Sequence, residues 1–445
     1  MSPGRPQRTV VEPRREVPVV AEPEVLVCGG GPAGVGAALA AARQGADTMV
    51  IENELCLGGM ATAGMLNRLG PYHDQEEVIL GGIPLEILRR LIDRGMAQEP
   101  EPCTPEDWQR YWLVFDPEAM KLLLDEMMEE AGADVLLGAR VVRPLVEEGR
   151  MRGVVIESKS GREGVLARHV VDATGDGDVA AAAGAPFGRG REGDRRVQPV
   201  TLMSKFLNED WPTAFRHVRE HHAELLETAR EEVGNDFVWA GTDNALHPEE
   251  TYYNCVHVYG VDATSRRDLT RAAVEMRRKL WRNMEFLRRH VPGCENISLI
   301  TTAAAMGVRE TRRIQGEYVL DIDDVLDARQ FPDQVFRYGC YVDIHAVLPE
   351  GQRSEYADRN LEPGQSYGVP YRCLVPRGVE DMLVAGRCFS ATHEALASVR
   401  MMPACMAMGQ AAGTAAALAL QRECHPRDLD TDDLRAALDA EGVIL

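Results

Sequence analysis

Three glycines and one glutamate carry the clearest chemistry in this chain. They are Gly29, Gly31 and Gly34, spaced as G-x-G-x-x-G, and Glu52 at the end of the next apolar run. The glycines suit a loop that cradles phosphate. Gly29 can make a tight turn, Gly31 offers backbone with no Cβ in the way, and Gly34 lets the following helix pack closely. That helix opens at Pro32 and Ala33. Its first N–H groups and positive dipole end therefore face the same anion. Glu52 falls about where an acidic side chain accepts hydrogen bonds from ribose hydroxyls. Together these residues describe the binding of a dinucleotide.

A strand–loop–helix–strand unit is needed to hold them. Residues 25–52, VLVCGGGPAGVGAALAAARQGADTMVIE, supply it: an apolar run, the glycine loop, an Ala-rich helix and a second apolar run. Context matters, because the chain contains a second match at Gly188, Gly190 and Gly193. That one follows Pro186 and Phe187 and leads into Asp194-Arg195-Arg196, so it reads as a loop. The same glycines without a strand before and an apolar helix after carry little meaning.

The chain has 445 residues, enough for two cores, and a net charge of −21. That charge disfavours nucleic acid and anionic membranes as partners, since both need a basic face. The ten cysteines are scattered with no C-x-x-C pair, which argues against zinc ribbons, iron–sulfur ligation and a dithiol centre. No metal is expected. Dispersed cysteines suit a reducing compartment, so a cytoplasmic location is expected. Cys56 and Cys388 fall in segments near the expected cofactor, but packing explains them better. The one long apolar segment, 401–420, is Ala-rich and carries Pro403, Gly409 and Gly413, so it reads as a buried helix and not a membrane span. The partners expected are a small-molecule substrate, no nucleic acid and no membrane, with homo-oligomer formation left open.

The organisation follows from composition. Residues 1–20 are Pro- and Arg-rich and read as an extended arm. Residues 21–200 and 366–445 carry the Gly-rich βα style and form one discontinuous nucleotide domain. Residues 201–365, with charged helices over 213–233 and 268–290, form an inserted α+β substrate domain. The fold class expected is α/β, a Rossmann-like nucleotide-binding domain with that insertion. Pro84 and Pro117 open helices, and Glu147 to Arg150 turn a hairpin.

Motifs beyond the first unit decide between NAD and FAD. They are Gly58-Gly59-Met60-Ala61-Thr62, Asp172-Ala173-Thr174-Gly175-Asp176 and Leu383-Val384-Ala385-Gly386-Arg387. NAD needs only the first unit. A flavin, with its ribityl chain and large ring, needs further backbone approaches from several strand ends. The segments LGGMATAG, VVDATGDGDVAAAAGAP, MGVRETRRIQGEY and LVAGRCFSATHEALASVRMMPACMAMGQAAGTAAA, with the first unit, span nearly the whole chain in order. In them the chain resembles the FAD-dependent oxidoreductases of the glutathione-reductase/fumarate-reductase type, most closely the bacterial FAD-dependent oxidoreductase group.

The resemblance implies FAD as cofactor and assigns roles by position. Gly29, Gly31, Pro32, Ala33 and Gly34 would hold the pyrophosphate and Glu52 the adenosine ribose. Val141 would offer backbone groups to the adenine. Thr174 and Gly175 would pass near the adenosine and pyrophosphate. Gly59, Met60, Ala61 and Thr62 would approach the flavin ring, and Gly386 and Arg387 the ribityl chain. Many relatives carry an acidic residue where this chain has Arg387. Pro403 opens a helix whose N-terminus would face the N1–C2=O edge of the flavin.

For substrate chemistry the resemblance points to His393 and Arg400, in HEALASVRMMP where relatives carry an HGAN-type pattern. Arg309, after Met306-Gly307, is a third candidate, at the seam between domains. His73 and Tyr371 are lesser acid/base candidates, and Arg312 reads as a structural ion pair. The reaction expected is hydride transfer between a small organic substrate and flavin N5. It would oxidise a CH–XH or CH–CH bond or reduce a polarised C=C bond. The rival reading is an electron-transfer subunit of a larger redox complex.

Overall fold

The computed structural model describes residues 9–234, 238, 241–243, 246–348 and 354–445. A parallel sheet of five short strands forms its centre. The order across the sheet is Met382–Val384, His169–Asp172, Val25–Cys28, Thr48–Glu52 and Asp134–Leu137. Val25–Cys28 is buried at every position, as a strand covered on both faces must be. Its neighbours pair with it in register, Cys28 lying between Ile51 and Asp172. All the strand ends that the sequence marks with small residues therefore emerge on one side of the sheet.

Helix Pro32–Arg43 and the long helix Met402–Gln421 pack against each other at backbone contact. A Cβ added to Gly409 would stand 1.9 Å from the Ala33 carbonyl oxygen, and one on Gly413 2.1 Å from that of Ala37. No side chain fits such a gap, so the Ala/Gly composition of both helices is a packing requirement. By length and composition Met402–Gln421 could cross a membrane, yet here it is the buried core helix.

A second sheet lies beside the first, in the order Val19–Ala21, Gly161–Leu166, Arg150–Ser158, Arg140–Glu147. The last two strands form the expected hairpin. Its turn residues Glu148 (φ 51°) and Gly149 (φ 79°) are both left-handed, as a two-residue hairpin loop requires. The N-terminal arm does not stay unpaired to its end: Val19–Ala21 runs parallel to Gly161–Leu166.

Between the two halves of the nucleotide-binding unit lies a third sheet, Thr242–Asp243, Glu250–Tyr253, Ser204–Leu207 and Ser298–Thr302, paired antiparallel. Helices Trp211–Glu220, His222–Val233 and Arg266–His290 share its apolar core. The single helix predicted over 213–233 is broken at His221. This core runs from Val200 to Ala303. Leu320, Val325, Phe336 and Tyr338, which composition groups with the insertion, instead pack into the main core. Gln334–Tyr338 pairs there with Tyr367–Pro370. The second glycine match also differs in detail. Phe187–Arg189 is a short strand paired with Arg312–Ile314, and no helix follows Gly193.

Candidate active site

The glycine loop opens on free space. A Cβ on Gly31 would meet nothing within 4 Å, whereas one on Gly34 would stand 1.7 Å from the Gly29 carbonyl oxygen. Gly34 is therefore required by the turn itself, and Gly31 by nothing in the protein. Gly29 takes a left-handed φ of 99° and lies against Ala173 and Thr174, where an added Cβ would sit 2.5 Å from the Ala173 oxygen. The first helical hydrogen bond runs from the Val35 N–H to the Gly31 carbonyl. The N–H groups of Ala33 and Gly34 thus have no intrahelical acceptor. Open space, unsatisfied donors and a positive helix end fit a pyrophosphate.

Glu52 closes the loop from the side. Its carboxylate accepts from the Gly30 N–H at 2.6 Å and the Glu54 N–H at 2.8 Å. Burial pushes its carboxyl above the usual range, against the pull of those two donors. Gly59 stands over the loop, where a Cβ would be 3.0 Å from the Gly31 Cα. Thr62 turns away from the opening. It is buried and donates its hydroxyl to the Leu57 carbonyl at 2.5 Å, so its side chain fixes the shape of the 57–62 loop. Ala61 is buried beneath it, while Met60 reaches Gly307 of the next segment. Val141 is half-buried on the hairpin strand, paired with Ile156.

The other two strand ends meet the same opening. Gly386 lies against Ala33, where an added Cβ would be 2.9 Å from the Ala33 Cβ. Arg387 pairs with Asp176 at 2.8 Å, and its guanidinium would stand 3.0 Å from a Cβ on Gly175. Where many relatives carry an acidic residue, this chain thus has Arg387 with its charge taken up by Asp176, one loop away. Thr174 and Asp172 shape that loop. Asp172 is fully buried and accepts from the Thr174 N–H and hydroxyl and from the N–H groups of Val179 and Ala180. Sequence reading records Asp172 only as a turn residue. Its place at the end of a buried strand, six residues before a helix, was the available signal.

His393 opens the short helix His393–Val399, capped by Thr392. It is buried, and its Nδ1 stands 2.7 Å from a carboxylate oxygen of Glu310. Glu310 is buried too and is bonded on its other oxygen by Arg313. Arg313 in turn donates to the carbonyls of Ala391 and Gly190, each at 2.9 Å. A carboxylate on Nδ1 keeps the proton there and leaves Nε2 as the basic nitrogen of the neutral ring.

Arg309 and Arg400 lie close enough for the charge of one to act on the other. Arg400 donates to the Asp343 carbonyl and carboxylate, both at 2.9 Å. Arg309 donates to the Pro199 carbonyl at 2.8 Å and stands 3.5 Å from His257 Nε2. Burial, then the nearby Arg400 charge, brings Arg309 down to about 10. The ring centroids of His257 and His345 are 5.3 Å apart. Burial and the Arg309 charge hold His257 well below its ordinary value, so it is neutral. Glu310, His257, Asp343 and His345 were not legible as site residues. His257 meets Arg309 across 52 positions, Glu310 meets His393 across 83, Asp343 meets Arg400 across 57 and the His345 N–H meets Gln198 across 147, and no spacing rule reaches that far.

The remaining candidates are structural. His73 is buried against Tyr111, accepts from the Gln75 N–H, and is brought down to about 4 by burial. Tyr371 is buried and donates to the Pro426 carbonyl at 2.6 Å. Arg312 pairs with Asp178 at 2.8 Å. Cys388 is fully buried, and Cys56 lies 3.7 Å from the Thr62 hydroxyl.

A parallel sheet, a glycine cradle at its first strand end and two further strand ends on the same opening define a flavin-type dinucleotide-binding protein. The chain belongs to the FAD dependent oxidoreductase family, which it matches over residues 24–438, and its cofactor is FAD. Among curated proteins it is similar to digeranylgeranylglycerophospholipid reductase 2 of Methanopyrus kandleri. The two are 36% identical over 153 residues, 34% of this chain and 37% of that one. It is also similar to thiamine thiazole synthase of Methanococcus vannielii, 26% identical over 35% of this chain and 56% of that one. The chain therefore matches little more than a third of the length of the reductase. Among solved structures, a geranylgeranyl bacteriochlorophyll reductase-like protein of Thermoplasma acidophilum aligns over 94% of this chain and 83% of its own. Its TM-score is 0.46 and its identity 14%.

Proposed function

We propose that this oxidoreductase transfers a hydride between a small organic substrate and the flavin N5, oxidising a CH–XH or CH–CH bond or reducing a polarised C=C bond. One observation carries the reading: a buried His393, opening the short helix between the Gly386 strand end and the long core helix, is paired with a buried Glu310 from a distant segment. Bound FAD supplies the hydride acceptor or donor. The protein supplies position and protons. Gly29 to Gly34 and Glu52 hold the nucleotide end, and the loops at Gly59 and Gly386 line the path from it. Glu310 holds the His393 proton on Nδ1, so that Nε2 takes or returns the substrate proton. The N-terminus of Met402–Gln421, with Pro403 in its first turn, adds positive potential of about 0.3–2 kcal/mol toward negative charge near it.

The test is anaerobic. Purified protein should show flavin absorbance, and a screen of small acids, alcohols and enones should find compounds that bleach the oxidised band or restore it after reduction. A protein that stays colourless with added FAD overturns the reading.

A further inference from the structure

The net charge of −21 conceals one basic helix. Arg266–His290, in the inserted unit, carries eight arginines and one lysine against three acidic residues. It buries Ala272, Met276, Leu280, Met284 and Leu287 on one side. At about 3.6 residues per turn, the opposite side collects Arg267, Val274, Arg277, Arg278, Trp281 and Arg282, all exposed. Trp281 is 55% exposed and Val274 37%, so large apolar groups stand within a cationic stripe. Some of the charge is spent inside the chain: Arg271 reaches Glu275, and Arg289 reaches Glu232. Arg277, Arg278 and Arg282 meet no carboxylate among the described residues.

The neighbouring helix is the opposite case. His222–Val233 buries Leu225, Ala229 and Val233 and turns Glu224, Glu227 and Glu231 outward, at i, i+3 and i+7. Glu227 and Glu231 meet no cation among the described residues. Glu232 ties the two helices together at one end, to Arg289 at 3.0 Å and His290 at 3.1 Å. Each helix thus presents like charges four residues apart, Glu227 with Glu231 and Arg278 with Arg282. Such pairs weaken the helix that carries them, and no opposite charge among the described residues relieves these.

We propose that this face is a self-association surface: two copies pair across a two-fold axis, the arginine stripe of each lying on the glutamate stripe of the other. The spacings match, since both pairs are four residues apart, about 6 Å along a helix. A two-fold contact uses the same patch on both copies, so one pairing relieves all four stripes at once. Trp281 then leaves water beside the ion pairs, and Trp and Arg are the side chains that carry most of the binding energy at such surfaces. A phospholipid surface or a nucleic acid would satisfy the arginines alone and would meet Glu227 and Glu231 as repulsion. The contact is separate from the flavin chemistry and is read by mass.

The test is sedimentation velocity on the FAD-loaded protein over a concentration series. A monomer–dimer equilibrium is expected. The double variant Arg278→Glu with Arg282→Glu makes both helices acidic, and Glu227→Arg with Glu231→Arg makes both basic. Each should weaken dimerisation tenfold or more, with the melting temperature and flavin absorbance of the parent. Mixing the two variants should restore the parental affinity, because each helix then meets its opposite at both contacts. Trp281→Ser should weaken the dimer severalfold and serves if a double variant does not fold. The proposal is overturned by a parent that stays monomeric, by a dimer that the variants leave unchanged, or by a mixture that fails to pair. A monomeric parent that binds vesicles of phosphatidylserine in phosphatidylcholine, and loses them with the arginine variant, overturns it in favour of a lipid surface.

Discussion

The glycine cradle and the Arg309–His393 seam solve the same problem, holding charge inside a protein, by opposite means. The cradle uses backbone: N–H groups at a helix end, glycines that clear the approach, and one carboxylate, Glu52, spent on two of its own amides. The seam uses side chains. Residues 309–313 distribute successive groups to Pro199, His393, Asp176, Asp178 and Glu310, stitching the inserted unit to the 386–400 loop. Backbone charge is fixed once the turn forms, so the cradle tolerates an empty site. Side-chain charge must be balanced group by group, so the seam is where one substitution unbalances its neighbours.

The largest effect should therefore come from the seam. Glu310→Ala removes the acceptor of both His393 and Arg313, leaving a largely enclosed guanidinium without its ion partner. Breaking a buried pair of this kind costs about 3–5 kcal/mol, which calorimetry would show as an early loss of the folded state. A melt indistinguishable from the wild type would mean that Arg313 and His393 are satisfied elsewhere. The inserted core holds a second buried carboxylate, Glu209, bonded by the Tyr253 hydroxyl at 2.6 Å and the Cys294 thiol at 3.6 Å. Burial raises it from 4.5 to about 7, a shift of about 3 kcal/mol. The folded state then holds a proton that the unfolded chain has already lost. The stabilisation is complete below pH 4.5 and fades as pH rises through about 7. Glu209→Gln should flatten that decline, raising the melting temperature above pH 7 relative to the parent. A decline of equal slope in the variant would assign it to another group.

How much of this could be read from sequence follows the same division. The cradle was legible because each residue acts on its own neighbours. Gly29, Gly34 and Glu52 lie within one βαβ unit, and the physics of the turn fixes their types. The long helix was legible as buried because Ala and Gly recur through it, although its contact at Gly409 and Gly413 with Ala33 and Ala37 needs the fold. Arg309 and Arg400 could be named as residue types, but Asp343, the carboxylate that Arg400 pairs with, could not. Asp343 lies in a stretch whose composition matches the insertion. Thr62 illustrates the limit of motif position: it falls in the expected ring loop, yet its hydroxyl is turned inward onto Leu57.

Within the cradle, Glu52 is the charged exception, and its removal should sit between the two extremes. Glu52→Ala leaves the Gly30 and Glu54 amides without that acceptor and deletes the expected ribose partner. A charge-assisted hydrogen bond is worth about 1.5–3 kcal/mol, so FAD retention through gel filtration should fall by tenfold or more in affinity. Retention equal to the parent would place the ribose elsewhere.

The smallest effect on the fold should come from Gly31→Ala, and it separates binding from stability most cleanly. Gly31 has an ordinary φ of −69°. Its added methyl meets no protein atom within 4 Å. The flavin-free protein should therefore melt within about 0.5 kcal/mol of the parent, as substitutions away from tight packing do. The same methyl stands where the pyrophosphate must approach the backbone, and overpacking of that kind costs about 1–3 kcal/mol. FAD titration into stripped protein should thus show clearly weaker binding beside an unchanged melt. Gly34→Ala should instead damage both at once, because its methyl collides with Gly29 before any ligand arrives. If Gly31→Ala bound FAD as the parent does, the space above Gly31 would not be where the phosphates lie, and the cradle would hold its nucleotide through the Gly59 and Gly386 loops alone.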